Sequence, residues 1–174
     1  MTKSTDIRIV DISTNLENIL YRTPMKFGGR VVTDVTLFNV NVTVETTDGR
    51  QGKGHGSMPV GNAWGWPSAV ETGDRTLEAM IRLGELVASA AGNLPQHGHP
   101  IELVHDLAHD YPSLAQQVVD QMNLGEAIPR LAQLVSASPI DAAKRLVENV
   151  AAHRIKGHVR AAPSAVHQNR FARL

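Results

Sequence analysis

The chain has no cysteine, few aromatic side chains and no long apolar run, and each shortage removes a class of function. Without thiols there can be no disulfide, no thiolate metal site and no cysteine nucleophile. Aromatics are 4% of residues against 42% apolar, so the core is expected to be mostly aliphatic. No segment approaches the ~20 apolar residues of a membrane-spanning helix, and no membrane partner is expected. The first twenty residues carry acids and no apolar stretch, so they do not read as a signal peptide; a soluble, cytoplasmic protein is expected. There is no Gly-x-Ser-x-Gly elbow. Gly52-x-Gly54-x-Gly56 leads into a proline and tryptophan loop instead of opening a helix, which removes a phosphate cradle as well.

What is present divides the 174 residues unevenly. Residues 1–143 hold ten Lys or Arg and sixteen Asp or Glu; residues 144–174 hold seven basic and one acidic. The formal charge of zero therefore hides an acidic body and a basic tail, a shift that often marks a domain edge. In the body, IRIVDI at 7–12 reads as a short strand and YRTPMKFGGR at 21–30 as a loop with strand-like ends. From Val35 onward, Phe38, Val40, Val42 and Val44 alternate with Leu37, Asn39, Asn41 and Thr43, the signature of a half-buried strand. Asp48-Gly49 suits a tight turn, and the returning strand RQGKGHGS completes an antiparallel meander.

That returning strand is bare on one face, because Gly52, Gly54 and Gly56 alternate with Gln51, Lys53 and His55. Either another backbone, ligand or element comes close there, or it is a weak edge strand. Ser68-x-x-Glu71 has the form of a capping box opening a helical region. Leu77, Met80, Ile81, Gly84, Val87, Ala88 and Ala91 then recur at helical spacing up to a stop at Gly92-Asn93. Further helices read at 100–111, 113–123, 126–136 and 139–155, divided by Pro112, Gly125 and Pro139. Strands first and helices after give an α+β fold: a three-stranded antiparallel meander followed by a helical bundle.

Arg22-Thr23-Pro24, Phe27-Gly28, the long alternating strand, Thr47-Asp48-Gly49, Gly52-x-Gly54 and Ser138-Pro139-x-Asp141-Ala142-Ala143 occur in one order. In that order and spacing the chain resembles the amino-terminal capping domain of the mandelate racemase and muconate lactonizing enzymes, in the enolase superfamily. The resemblance covers roughly 5–143. It implies a domain over 1–143 that closes the mouth of a (β/α)₇β barrel, and a divergent basic tail over 144–174. In such enzymes a barrel lysine or histidine removes a proton next to a carboxylate, and magnesium held by three acidic residues stabilises the enediolate. By resemblance, Pro24, Met25, Lys26 and Phe27 form a first specificity loop, the segment of His55, Met58 and Val60 a second, and the bare glycine strand faces a barrel rim that this chain does not encode.

After Ala143 the sequence is too short for a barrel of about 200 to 250 residues, and it shows no Lys-x-Lys and no spaced acids. The departure from the family pattern begins at Lys144, where the charge also reverses. A change of reading frame, a cloning boundary or a genuine short protein would each give such a tail. The expectation is a capping domain without its barrel, with no catalytic residue and no cofactor of its own, although the parent family uses magnesium. Its expected partner is a catalytic barrel, or a second copy through the surface a barrel would cover, with a carboxylate as the parent's substrate. The parent reaction would be a dehydration, racemisation or cycloisomerisation. A stand-alone binding or interaction module is the alternative.

Other candidates have ordinary readings beside them. His105-Asp106-Leu107-Ala108-His109 has the spacing of H-E-x-x-H, which would place two imidazoles on one helical face as in a metal hydrolase. Asp is one methylene shorter than Glu as a base, no third ligand is assigned unless His97 or His99 folds back, and a polar helix face is the alternative. Lys26 and His55 could face an acid substrate or simply be exposed. Trp64 and Trp66 could line a pocket mouth or pack the joint between hairpin and helix. The basic tail has one aromatic, Phe171, and scattered charges, which fits a solvated tail and no nucleic acid.

Overall fold

The structure, a computed structural model, describes residues 6–27, 30–94 and 97–152, with side chains in the last helix described as far as Lys144. Three strands, β1 (Ile7–Phe27), β2 (Arg30–Thr46) and β3 (Gln51–Pro59), form one antiparallel sheet in the order β1-β2-β3. Four helices follow: α1 (Asn62–Gly65), α2 (Gly73–Gly92), α3 (Pro100–Met122) and α4 (Arg130–Ala152). The α+β arrangement expected from the sequence is therefore the one observed.

The alternation in β2 does what its period dictates, since Phe38, Val40, Val42 and Val44 are all within 2% of complete burial. Their ladder partners on β1 are Leu16, Thr14, Ile12 and Ile9, which share that face. A bulge between Ile9 and Asp11 keeps both isoleucines inward, although they are three residues apart. The opposite face carries rungs such as Ser13, Asn41 and His55, and is polar. Between β2 and β3 the chain turns on Gly49, at φ 81°, with the Gly49 N–H donating to the Thr46 carbonyl at 2.9 Å.

Four sequence expectations need correction. The short strand at 7–12 and the loop at 21–30 are one strand, β1, running to Phe27. Its ladder breaks between Leu20 and Met25, so Pro24, which has no N–H to donate, sits where no pairing is required. Ser68 does not open a helix: its hydroxyl accepts from the Val70 and Glu71 N–H groups in a local turn, and α2 starts later, capped by Thr72 accepting from Arg75 N–H at 3.3 Å. Glu71 instead receives the Gly125 N–H and the Arg75 guanidinium, which together hold its carboxyl below the usual range.

The third correction concerns the prolines. α3 passes through Pro112 and α4 through Pro139 without ending. A proline inside a helix loses the bond to the carbonyl four residues back, a cost that packing along both helices outweighs here. Tyr111, Ala115 and Val118 are buried on α3, and Val135, Ile140 and Ala143 on α4. Burial also raises the Tyr111 phenol to about 12, helped by the nearby Asp141 charge.

The fourth is the neighbour of the bare strand. Gly54 and Gly56 are buried, and a β-carbon on Gly56 would lie 1.9 Å from the Pro139 carbonyl oxygen and 2.9 Å from the Ala143 nitrogen. The visitor to the glycine strand is the backbone of α4, an element of this same chain. Lys144, one residue on, is fully buried, and among the described residues its Nζ has no hydrogen-bond partner. Burial pulls its ammonium down to about 8, against a smaller opposing effect of Asp141.

Candidate functional site

A cavity of about 500 Å³ lies between the far end of the β1–β2 hairpin, the 59–64 loop and the first turn of α2. That is within the ~300 to 1,000 Å³ typical of small-molecule pockets. Its walls come from three separate stretches. The hairpin supplies Tyr21, Met25, Phe27 and Val31; the loop supplies Val60 and Trp64; the helix supplies Leu77.

Local chemistry fixes each wall. The Val60 N–H donates to the Thr36 carbonyl at 2.8 Å, which ties the loop to the hairpin just past the end of β3. Trp64 can lie flat on the loop only because position 61 is glycine, since a β-carbon there would sit 1.9 Å from the indole Nε1. Asn62 anchors the loop to α2, donating to the Gly73 carbonyl at 2.6 Å and to the Thr76 hydroxyl at 3.0 Å. Two residues away from Trp64 the second tryptophan turns inward. Trp66 is 1% exposed, and its Nε1 donates to Glu126 at 2.9 Å, with the Ser68 hydroxyl on the same carboxylate oxygen. Of the two tryptophans, one lines the cavity and one is core.

Several polar groups on the lining are engaged. Arg30 donates to the Ser68 carbonyl at 3.3 Å. Asp34 accepts from Asn18 at 2.7 Å on one oxygen and from the Thr33 hydroxyl at 3.1 Å on the other. Asp74 lies in the first turn of α2. Among the described residues no lysine or histidine lines the cavity; its titratable side chains are Tyr21, Arg30, Asp34 and Asp74. It can bind and shape a ligand.

Met25, Phe27 and Val60, three of the residues singled out in the sequence, meet at this cavity. Pro24 and Lys26 stay on the exposed hairpin edge and do not line it, and Met58 packs half-buried against the core. His55 is exposed on the polar face of the sheet, with its Nδ1 2.9 Å from Asn41 Oδ1. Arg30, Val31, Asp74 and Leu77 were missed. Arg30-Val31-Val32, directly after the Gly28-Gly29 pair, was the available signal for the first two.

The histidine pair lies elsewhere. The rings of His105 and His109 stack edge to face at 4.8 Å, and His109 Nδ1 donates to the His105 carbonyl at 2.9 Å. His99 instead caps α3, its Nδ1 accepting from Ile101 N–H at 3.3 Å. Among the described residues no group of three or more His, Asp or Glu gathers in metal-binding geometry. No described helix is long and apolar enough to cross a membrane. The basic tail lies outside the described residues.

No family model matches the chain, and no curated protein matches its sequence. Among solved structures it is similar to an enolase from Bradyrhizobium complexed with magnesium and mandelic acid, at 15% identity and a TM-score of 0.45, over 80% of this chain and 30% of that one. It is similar to an L-talarate/galactarate dehydratase variant liganded with magnesium and L-glucarate, at 15% identity and a TM-score of 0.45, over 81% and 30%. It is also similar to a dipeptide epimerase from Enterococcus faecalis complexed with magnesium and a dipeptide, at 17% identity and a TM-score of 0.39, over 66% and 31%. The chain spans about 30% of the length of the solved structures it matches.

Proposed function

We propose that residues 1–143 form a capping domain that shapes the substrate pocket of a mandelate racemase or muconate lactonizing type of enzyme, and that 144–174 is a divergent tail. The catalytic barrel and its magnesium lie outside this chain, which by itself turns over no substrate. The parent reaction is proton abstraction beside a carboxylate, leading to dehydration, racemisation or cycloisomerisation.

The observation that carries this is the meeting of Met25 and Phe27 with Val60 in one cavity. The sequence resemblance assigns these residues to two different specificity loops, and they come together although more than thirty positions separate them. A second support is the exposed apolar surface of the same hairpin, where Leu20 is 77% and Val31 62% exposed. Such a surface suits a partner that covers it, a barrel or a second copy.

The coding DNA tests the proposal. A reading frame downstream of codon 143 should encode Lys-x-Lys and three spaced acids over a stretch long enough for a barrel. If all frames lack them, the cap proposal fails and the chain is a stand-alone binding module.

A further inference from the structure

We infer that the cavity of Met25, Phe27, Val60 and Trp64 takes the apolar end of a small carboxylate, an aryl or branched aliphatic group, in preference to a polyhydroxylated one. The carboxylate rests on the function proposed above; the apolar end rests on the cavity alone.

The lining is more apolar than polar. Met25, Phe27, Val31, Val60, Trp64 and Leu77 are among the apolar side chains that the three segments bring to the wall. Of the polar ones, Asn62 spends its amide N–H groups on Gly73 and Thr76, Arg30 donates to Ser68, and both oxygens of Asp34 already accept, while Tyr21, Thr36 and Asp74 complete the polar part of the wall. A ligand hydroxyl entering here gives up water for fewer replacement partners, whereas a ring gives up only unfavourable hydration. The order of the ligand follows from charge. Among the described residues Asp34 and Asp74 both line the cavity against one cation, Arg30, so the acid group stays outside and the apolar group enters. Trp64 and Phe27, 40% and 48% exposed, supply aromatic faces for it.

Trp64 also supplies the readout, because Trp66 is buried and bonded to Glu126. The full chain is titrated with phenylacetate and, separately, with glucarate, following tryptophan emission. Phenylacetate should give a saturable change, absent in Trp64→Phe and at least tenfold weaker in Phe27→Ser and Met25→Gln. Both of the latter residues are about half exposed, so these variants do not threaten the core. Glucarate should give no saturable change. Tighter binding of glucarate, or a phenylacetate response that does not saturate or ignores Phe27→Ser, overturns the inference and leaves the coding-DNA test untouched. Saturable phenylacetate binding together with no barrel frame sinks the cap proposal and keeps the apolar selectivity.

Discussion

The two ends of one hairpin behave as different materials. Where α2 and α4 cover the sheet, the inward residues of β2 from Phe38 to Val44 are sealed; beyond Leu16 the same ladder continues with Ile19, Leu20, Met25, Phe27 and Val31 exposed to 40% or more. Hydrogen bonding is shared by both halves, so pairing alone does not decide burial. Helix cover does, and the arm that lacks it is the part that shapes the cavity. The sealed half carries stability, and the open half is where the proposed recognition would lie, a division common where binding loops are held by a rigid scaffold.

Substitutions can break or sharpen that contrast. Gly56→Val should do the most damage, because its side chain would enter the backbone of α4 at Pro139 and Ala143. A loss of about 3 kcal/mol in urea unfolding is expected from overpacking of this kind. If the protein tolerates valine with its stability intact, the sealed half is looser than described.

Lys144→Met should act in the opposite direction. The folded ammonium titrates at about 8 against an ordinary 10.5, so between those values the unfolded chain binds more protons and stability rises with pH. Below about pH 8 the full penalty applies. The variant should gain about 2 kcal/mol at pH 7 and lose the rise in stability between about pH 8 and 10.5. Unfolding curves at three pH values decide it; an unchanged pH slope would show that the amine is not desolvated.

The smallest effect on stability belongs to the arm. Leu20→Glu, at a position 77% exposed, should move the unfolding free energy by less than about 0.5 kcal/mol. It should nevertheless lower any self-association seen by sedimentation, since it places charge in the apolar surface. A large stability loss would mean that the arm is packed after all.

The sequence is legible wherever one residue's neighbours are close along the chain. The alternation at 38–44 named the buried face of β2, the Leu77-to-Ala91 spacing named α2, and Asp48-Gly49 named its turn. Failures occur where a distant contact decides. Pro112 and Pro139 read locally as breaks, yet tertiary packing carries both helices through. The glycines of β3 announced a close neighbour without naming it, because residue 56 and residue 139 meet only once the helices are docked. A small part of the cavity lining was named in advance. Met25, Phe27 and Val60 came from the family resemblance, whereas Leu77 looked like an ordinary core position of α2, and nothing local showed that its helix turn borders a cavity.

The contact between β3 and α4 has a consequence for how this protein can vary over generations. The obstacle at position 56 is main-chain oxygen and nitrogen, which every residue at 139 and 143 possesses. No compensating exchange at those positions can make room, so drift at 56 should be barred outright, not traded against a co-varying mate. Only a displacement of the whole helix would release it.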